Sequence, residues 1–211
     1  MGFIMKYGPV VLTAALTGLL SFTFLAVAVW TDYWYIIDVN KPNYTGPDSL
    51  SSHSGLWRIH EGPNRSSVIS SFTANMSALS DAERQLQGLH RVVVTLLPLS
   101  LILLLFGWIF GLVSSLACSP KLLSASASYV LLCSLFTLSG VSVYIRYSDL
   151  AMEEFERLVL PTNLVYVDVS FGWSFAMAWL SYSLEVASGL FLLLAARITQ
   201  KKRHYDSSVA I

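Results

Sequence analysis

Four apolar runs, at 10–30, 92–115, 122–145 and 171–196, constrain this chain more than any other feature. A hydrocarbon core of roughly 30 Å needs about 20 residues of helix to cross it. Three of the runs hold no charged side chain, and the fourth holds only Glu185. Inside lipid the backbone finds no water, so runs this long must satisfy their polar groups internally, as helices. Pro98, early in the second run, is expected to kink that helix without ending it. The first run contains Ala26-Val27-Ala28, which also suits a signal-peptide cleavage site. Its apolar stretch exceeds the roughly 7–15 residues of a signal peptide, so it reads as a retained membrane helix.

Composition removes most other classes. Only 12% of the 211 residues are charged and 55% are hydrophobic; a soluble domain carries roughly a quarter charged residues. The formal net charge is zero, without the basic excess of a nucleic-acid binder. Two cysteines support neither a disulfide scaffold nor a multi-cysteine zinc site. Four scattered histidines, His53, His60, His90 and His204, fit no usual metal spacing. No phosphate-binding glycine loop or nucleophile–base motif is present, so no enzyme activity, metal or cofactor is expected.

Charge sets the orientation. The N-terminus, the 115–121 connection and the C-terminal tail carry Lys6, Lys121, Arg197, Lys201, Lys202 and Arg203 against Asp206. The loops 31–91 and 146–170 together carry seven basic and eleven acidic residues. The basic side faces the cytoplasm, so both termini are expected there. Three glycosylation sequons, at Asn43, Asn64 and Asn75, all fall in loop 31–91, as that orientation requires.

The long loop has the composition of a folded element. Residues 31–38 (TDYWYIID) are aromatic and β-branched, 55–60 (GLWRIH) offer a second strand, and 39–54 read as a turn region. Ser80-Asp81-Ala82-Glu83 has capping-box spacing and should start a helix that continues into the second membrane run. In the shorter loop, 165–170 (VYVDVS) alternates strictly after a turn at 160–163 and should add to the same sheet.

Trp34 and the triplet Gly55-Leu56-Trp57, in a long first loop between four helices, resemble the signature of the claudin/peripheral myelin protein 22/calcium-channel gamma-subunit superfamily. The stretch 170–175 (SFGWSF) looks more like the gamma-subunit branch. Residues 31–36, 51–58, 97–101 and 140–144 are similar to the transmembrane protein 114/235 group. The resemblance implies one claudin-like domain over residues 1–211, a left-handed four-helix bundle with a small extracellular antiparallel sheet. It also implies a cysteine three residues after Trp57, paired within the loop. His60 stands there instead, and residues 31–91 contain no cysteine, so packing, glycans or a partner must support the sheet.

Several residues invite individual readings. Small residues four apart let helices approach closely: Gly107, Gly111 and Ser115 are the strongest set, with Ala14/Gly18, Ser124/Ser128 and Ser183/Ala187 beside them. Glu185 at mid-helix costs about 2.5–3.5 kcal/mol on insertion scales. It is open to three readings: hydrogen-bonded glue within the bundle, recognition of a partner, or ion and proton handling. Cys118, beside the membrane surface, is a candidate for palmitoylation or a packed free thiol. The terminal cations would attract anionic lipid. Val209 and Ile211 fit a PDZ ligand, against an inert tail. Taken together, the sequence reads as a non-enzymatic tetraspan plasma-membrane protein acting in membrane organisation or cell–cell contact, or alternatively as an auxiliary regulator of an ion channel or receptor.

Overall fold

The computed structural model describes residues 2–39, 52–61, 65–69, 80–158 and 167–209. Among these residues four helices, α1 (Gly2–Trp30), α2 (Asp81–Leu116), α3 (Pro120–Leu158) and α4 (Trp173–Val209), are accompanied by five strands. All four helices are long and apolar enough to cross a membrane. The chain is a multi-pass membrane protein.

The helices outrun the apolar segments because hydrogen-bonded turns continue wherever caps and side chains permit. Ser80 and Glu83 start α2 reciprocally: the Ser80 amide donates to the Glu83 carboxylate (2.9 Å) and the Glu83 amide to the Ser80 hydroxyl (3.3 Å). Pro98 lies within α2, which continues through it to Leu116. Three residues join α2 to α3, and Cys118 among them has φ 48°, a left-handed position that glycine usually fills after a helix. Pro120 then opens α3, where its missing N–H loses nothing. At the other end of the chain α4 runs through the basic cluster to Val209. Phe171 belongs to a strand rather than to this helix, which begins at Trp173.

The strands are β1 (Tyr35–Val39), β2 (Ser52–Ser54), β3 (Arg58–Glu61), β4 (Arg65–Val68) and β5 (Val167–Phe171). They form one antiparallel sheet in the order β4-β3-β2-β1-β5. The expected strands at 31–38 and 55–60 correspond to β1 and β3, which start four and three residues later; the one at 165–170 corresponds to β5, with 165 and 166 outside the described residues. Trp34 and Gly55–Trp57 are instead drawn away from the ladder by the helix end described below. Two strands lay outside the sequence expectation. β2 is Ser-His-Ser and β4 is Arg-Ser-Ser-Val, compositions set by pairing with neighbours and not by β-propensity. The turn expected at 160–163 lies outside the described residues.

Packing divides the chain into two compact units. The first comprises Met1–Ala26, Leu99–Leu138 and Leu180–Ile211. Its helical segments pack around Ala14, Leu123, Ala127, Val130, Leu192, Ala195 and Ala196. Small side chains dominate because helices in lipid associate through close packing and not through expulsion of water. Leucines and phenylalanines such as Leu16, Phe106, Phe110 and Leu190 point outward, where lipid tails replace a protein core. The second unit comprises Val27–Pro98 and Ser139–Trp179, and holds the sheet. Its interior includes Trp34, Leu56, Val93, Leu97, Val141, Tyr144 and Ala178.

Candidate functional site

In the sheet-bearing unit, the Trp and Gly-Leu-Trp residues are organised by the end of α1. A helix leaves its last four carbonyls without intrahelical donors. Three of them are satisfied here by side chains or the following backbone. Thr31 donates its amide (3.0 Å) and hydroxyl (2.7 Å) to the Val27 carbonyl. The Trp34 indole N–H donates to the Ala28 carbonyl at 2.7 Å, and the Trp57 indole N–H to the Val29 carbonyl at 2.9 Å. Two tryptophans from different parts of the loop therefore cap one helix.

The same residues hold the sheet. Trp34 is fully buried, with its ring 4.7 Å from Tyr144 and 6.1 Å from Phe175. Its amide donates to Ser54 and its carbonyl accepts from Gly172, each at 3.0 Å, so it lies between β2 and the start of α4. Gly55 packs directly against Asp32, where any β-carbon would collide. Leu56 is buried, whereas Trp57 keeps 39% of its surface exposed. Trp34, Gly55 and Leu56 are thus enclosed within the sheet-bearing unit, and Trp57 is half cap and half surface.

Two of the four histidines are brought together in space. His53 and His60 face one another across β2 and β3. Their rings are parallel at 4.6 Å; Tyr33 stacks on His53 at 4.4 Å and Trp173 on Tyr33 at 5.8 Å. Sequence spacing could not reveal this row, since it depends on strand register and on Trp173 at the start of α4. Burial, followed by the neighbouring His60, holds His53 below the usual imidazole range against an opposing pull from Asp32. Among the described residues no cluster of three or more metal-ligating groups exists. On the sheet's other face, Tyr35, Ile37, Ser52, Ser54 and Ile59 enclose a cavity of about 170 Å³ with Tyr144, Tyr147 and neighbours on α3.

In the other unit, Glu185 is fully buried. The Thr137 hydroxyl donates to its two carboxyl oxygens at 2.9 and 3.0 Å, and Ser181 approaches at 3.4 Å. Ser181 also donates to the Ser21 carbonyl (2.8 Å), and Ser21 to the Ser181 carbonyl (3.0 Å). One polar chain thereby links α1, α3 and α4. The carboxyl is enclosed among hydroxyl groups within this unit.

The small-residue stripe faces the same interior. A β-carbon on Gly107 would meet Tyr129 at 3.2 Å, and one on Gly111 would meet Leu192 at 3.6 Å. Ser115 accepts the Tyr7 hydroxyl on its carbonyl at 2.9 Å. Gly18 and Ala14 likewise receive Ser188, whose hydroxyl donates to the Ala14 carbonyl at 2.9 Å. Ser124, Ser128 and Ser183 are exposed and Ala187 is half-buried, whereas Ser126 and Ser188, two and five residues on, occupy the interior. Cys118 is exposed and Cys133 buried, both as free thiols. Asn43, Asn64, Asn75 and Ile211 lie outside the described residues, and Val209 is the last residue of α4.

The comparisons with known proteins agree with this architecture. The chain is 27% identical over 175 residues to the voltage-dependent calcium channel gamma-5 subunits of Mus musculus and Rattus norvegicus. The alignment covers 79% of this chain and 62% of each relative, so the chain spans less than two thirds of their length. Residues 19–194, which include α1's second half, the whole sheet and the buried Glu185, match the description PMP-22/EMP/MP20/Claudin tight junction. The protein belongs to that claudin family.

Proposed function

We propose that this chain is a non-enzymatic tetraspan protein of the plasma membrane, with both termini in the cytoplasm and the sheet outside. It acts by binding other membrane proteins, organising them within the membrane or at cell contacts. Family membership carries this reading, and the outward-facing leucines and phenylalanines of the helices supply apolar surface for it. A second reading, an auxiliary subunit that grips an ion channel or receptor, is favoured by the likeness to calcium-channel gamma-5 subunits. Glycans on Asn43, Asn64 and Asn75 would decorate the outer loop. Arg197, Lys201, Lys202 and Arg203 would draw anionic inner-leaflet lipid at about 1 kcal/mol each. Cys118 would accept an acyl chain, and the tail ending in Val209 and Ile211 would engage a PDZ scaffold after its last helical turn unwinds.

Photo-crosslinking from an exposed position on α4, Leu190, in native membranes separates the two readings. Mass spectrometry should find a channel or receptor subunit under the auxiliary reading. Only copies of this chain, together with aggregation of non-adherent cells expressing it, support the contact reading. Lipid adducts alone would overturn both.

A further inference from the structure

Within the sheet-bearing unit, Trp30, Asp32, Trp57 and Arg58 line an open cleft of about 240 Å³ that the helix-capping role does not use. Trp30 is the last residue of α1 and of the apolar span that begins at Tyr7, so the cleft sits where hydrocarbon gives way to headgroups. Its indole is 81% exposed. The Trp57 ring is fixed by its bond to the Val29 carbonyl, and Asp32 is pressed against Gly55. Two indole surfaces, one of them fixed, and two opposite charges therefore line one cleft. Among the described residues, neither Asp32 nor Arg58 is held in an ion pair, although they line the same cleft.

We propose that this cleft binds the phosphocholine headgroup of a membrane phospholipid. A quaternary ammonium carries no N–H, is weakly hydrated, and is attracted to the faces of tryptophan rings. Asp32 adds a negative charge to the cleft lining. The phosphate then reaches Arg58, whose planar guanidinium matches two phosphate oxygens at once. An anionic headgroup would satisfy Arg58 but meet Asp32 unfavourably. A primary ammonium would keep its own strong hydration and gain less from the indoles. Only a zwitterion with a soft cation answers both charges and both rings. Headgroup-level tryptophans are common anchors; the addition of one acid and one arginine, unpaired with each other, makes this pair selective.

The test uses the full chain in detergent, with palmitoyl-oleoyl phosphatidylcholine, phosphatidylethanolamine and phosphatidylglycerol supplied in equal amounts and bound lipid counted by native mass spectrometry. Phosphatidylcholine should be retained in excess. Asp32→Asn, Arg58→Gln and Trp30→Ala should each reduce that excess by about two- to five-fold, the range for one exposed cation–π or charge contact. Trp30→Phe, which keeps an aromatic face, should retain more of it than Trp30→Ala. Unchanged melting temperatures in these variants would show that the loss is not unfolding. Added millimolar phosphocholine should displace the retained lipid, whereas inorganic phosphate should not. Equal retention of the three lipids, or an excess that survives both charge variants, overturns the proposal. Binding of free phosphocholine without retention of the lipid would overturn the membrane source.

Discussion

Trp34 does two jobs at once. Its ring fills the space between Tyr144 and Phe175, and its N–H completes the end of α1. Trp34→Ala removes both and should destabilise the protein by about 3–5 kcal/mol, as for other buried aromatics. Trp57→Phe removes only the donor to Val29 and should cost about 0.5–1.5 kcal/mol. Thermal unfolding in detergent gives both values, and equal losses would contradict the division of labour. The importance of Trp34, Gly55, Leu56 and Trp57 was legible in the sequence because their order and spacing are a family pattern. Their role as a helix cap was not, since it depends on which carbonyls the chain leaves bare.

His53 supplies a pH dependence with a definite sign. Its folded form holds its proton less tightly than a free histidine, which titrates near about 6.5. As pH falls through that ordinary value the unfolded chain gains the proton first, so stability present above it is lost on acidification. The melting temperature should fall between about pH 7.5 and about pH 5.5, within the range where histidine titrates. His53→Phe keeps a ring for the stack and should flatten that fall. A steeper fall in the variant would contradict the assignment.

At the scale of elements, register turns the absent family cysteine into an experiment. His60 stands where the resemblance expects a cysteine, and β3 pairs it with Ser66 on β4. Paired residues in an antiparallel ladder lie about 4.5–5.5 Å apart at Cα, inside the usual disulfide range. The double variant His60→Cys with Ser66→Cys should form a disulfide, seen as a mobility shift under non-reducing conditions, and should gain up to about 5 kcal/mol. Failure to oxidise would contradict the β3–β4 register. The wild-type fold should be indifferent to reducing agent, because its two thiols are free. The helices were legible from their unbroken apolar runs and from the Ser80–Glu83 box. Short strands such as Ser52–Ser54 were not, because three polar residues become a strand only when β1 and β3 flank them. Likewise the inward faces of the helices could not be chosen from small-residue spacing alone: Gly107 and Gly111 face inward and Ser124 and Ser128 outward, although both pairs have the same period.

For the whole molecule, charge, sequons and fold describe one arrangement in the membrane. In the proposed topology four spanning helices would place both termini on the same side, and the basic residues of the tail would put that side in the cytoplasm. Loop 31–91, with the sheet and the three sequons, would then lie outside, where partners and glycan-transferring enzymes could reach it. Every functional reading above requires this topology, including recognition of outer-leaflet headgroups beside Trp30. The most direct measurement labels a C-terminal tag on intact and on permeabilised cells, alongside glycosidase treatment of the same protein. The tag should be reached only after permeabilisation, and glycosidase should shift the mass only while Asn43, Asn64 or Asn75 remains. A tag accessible on intact cells would contradict the account.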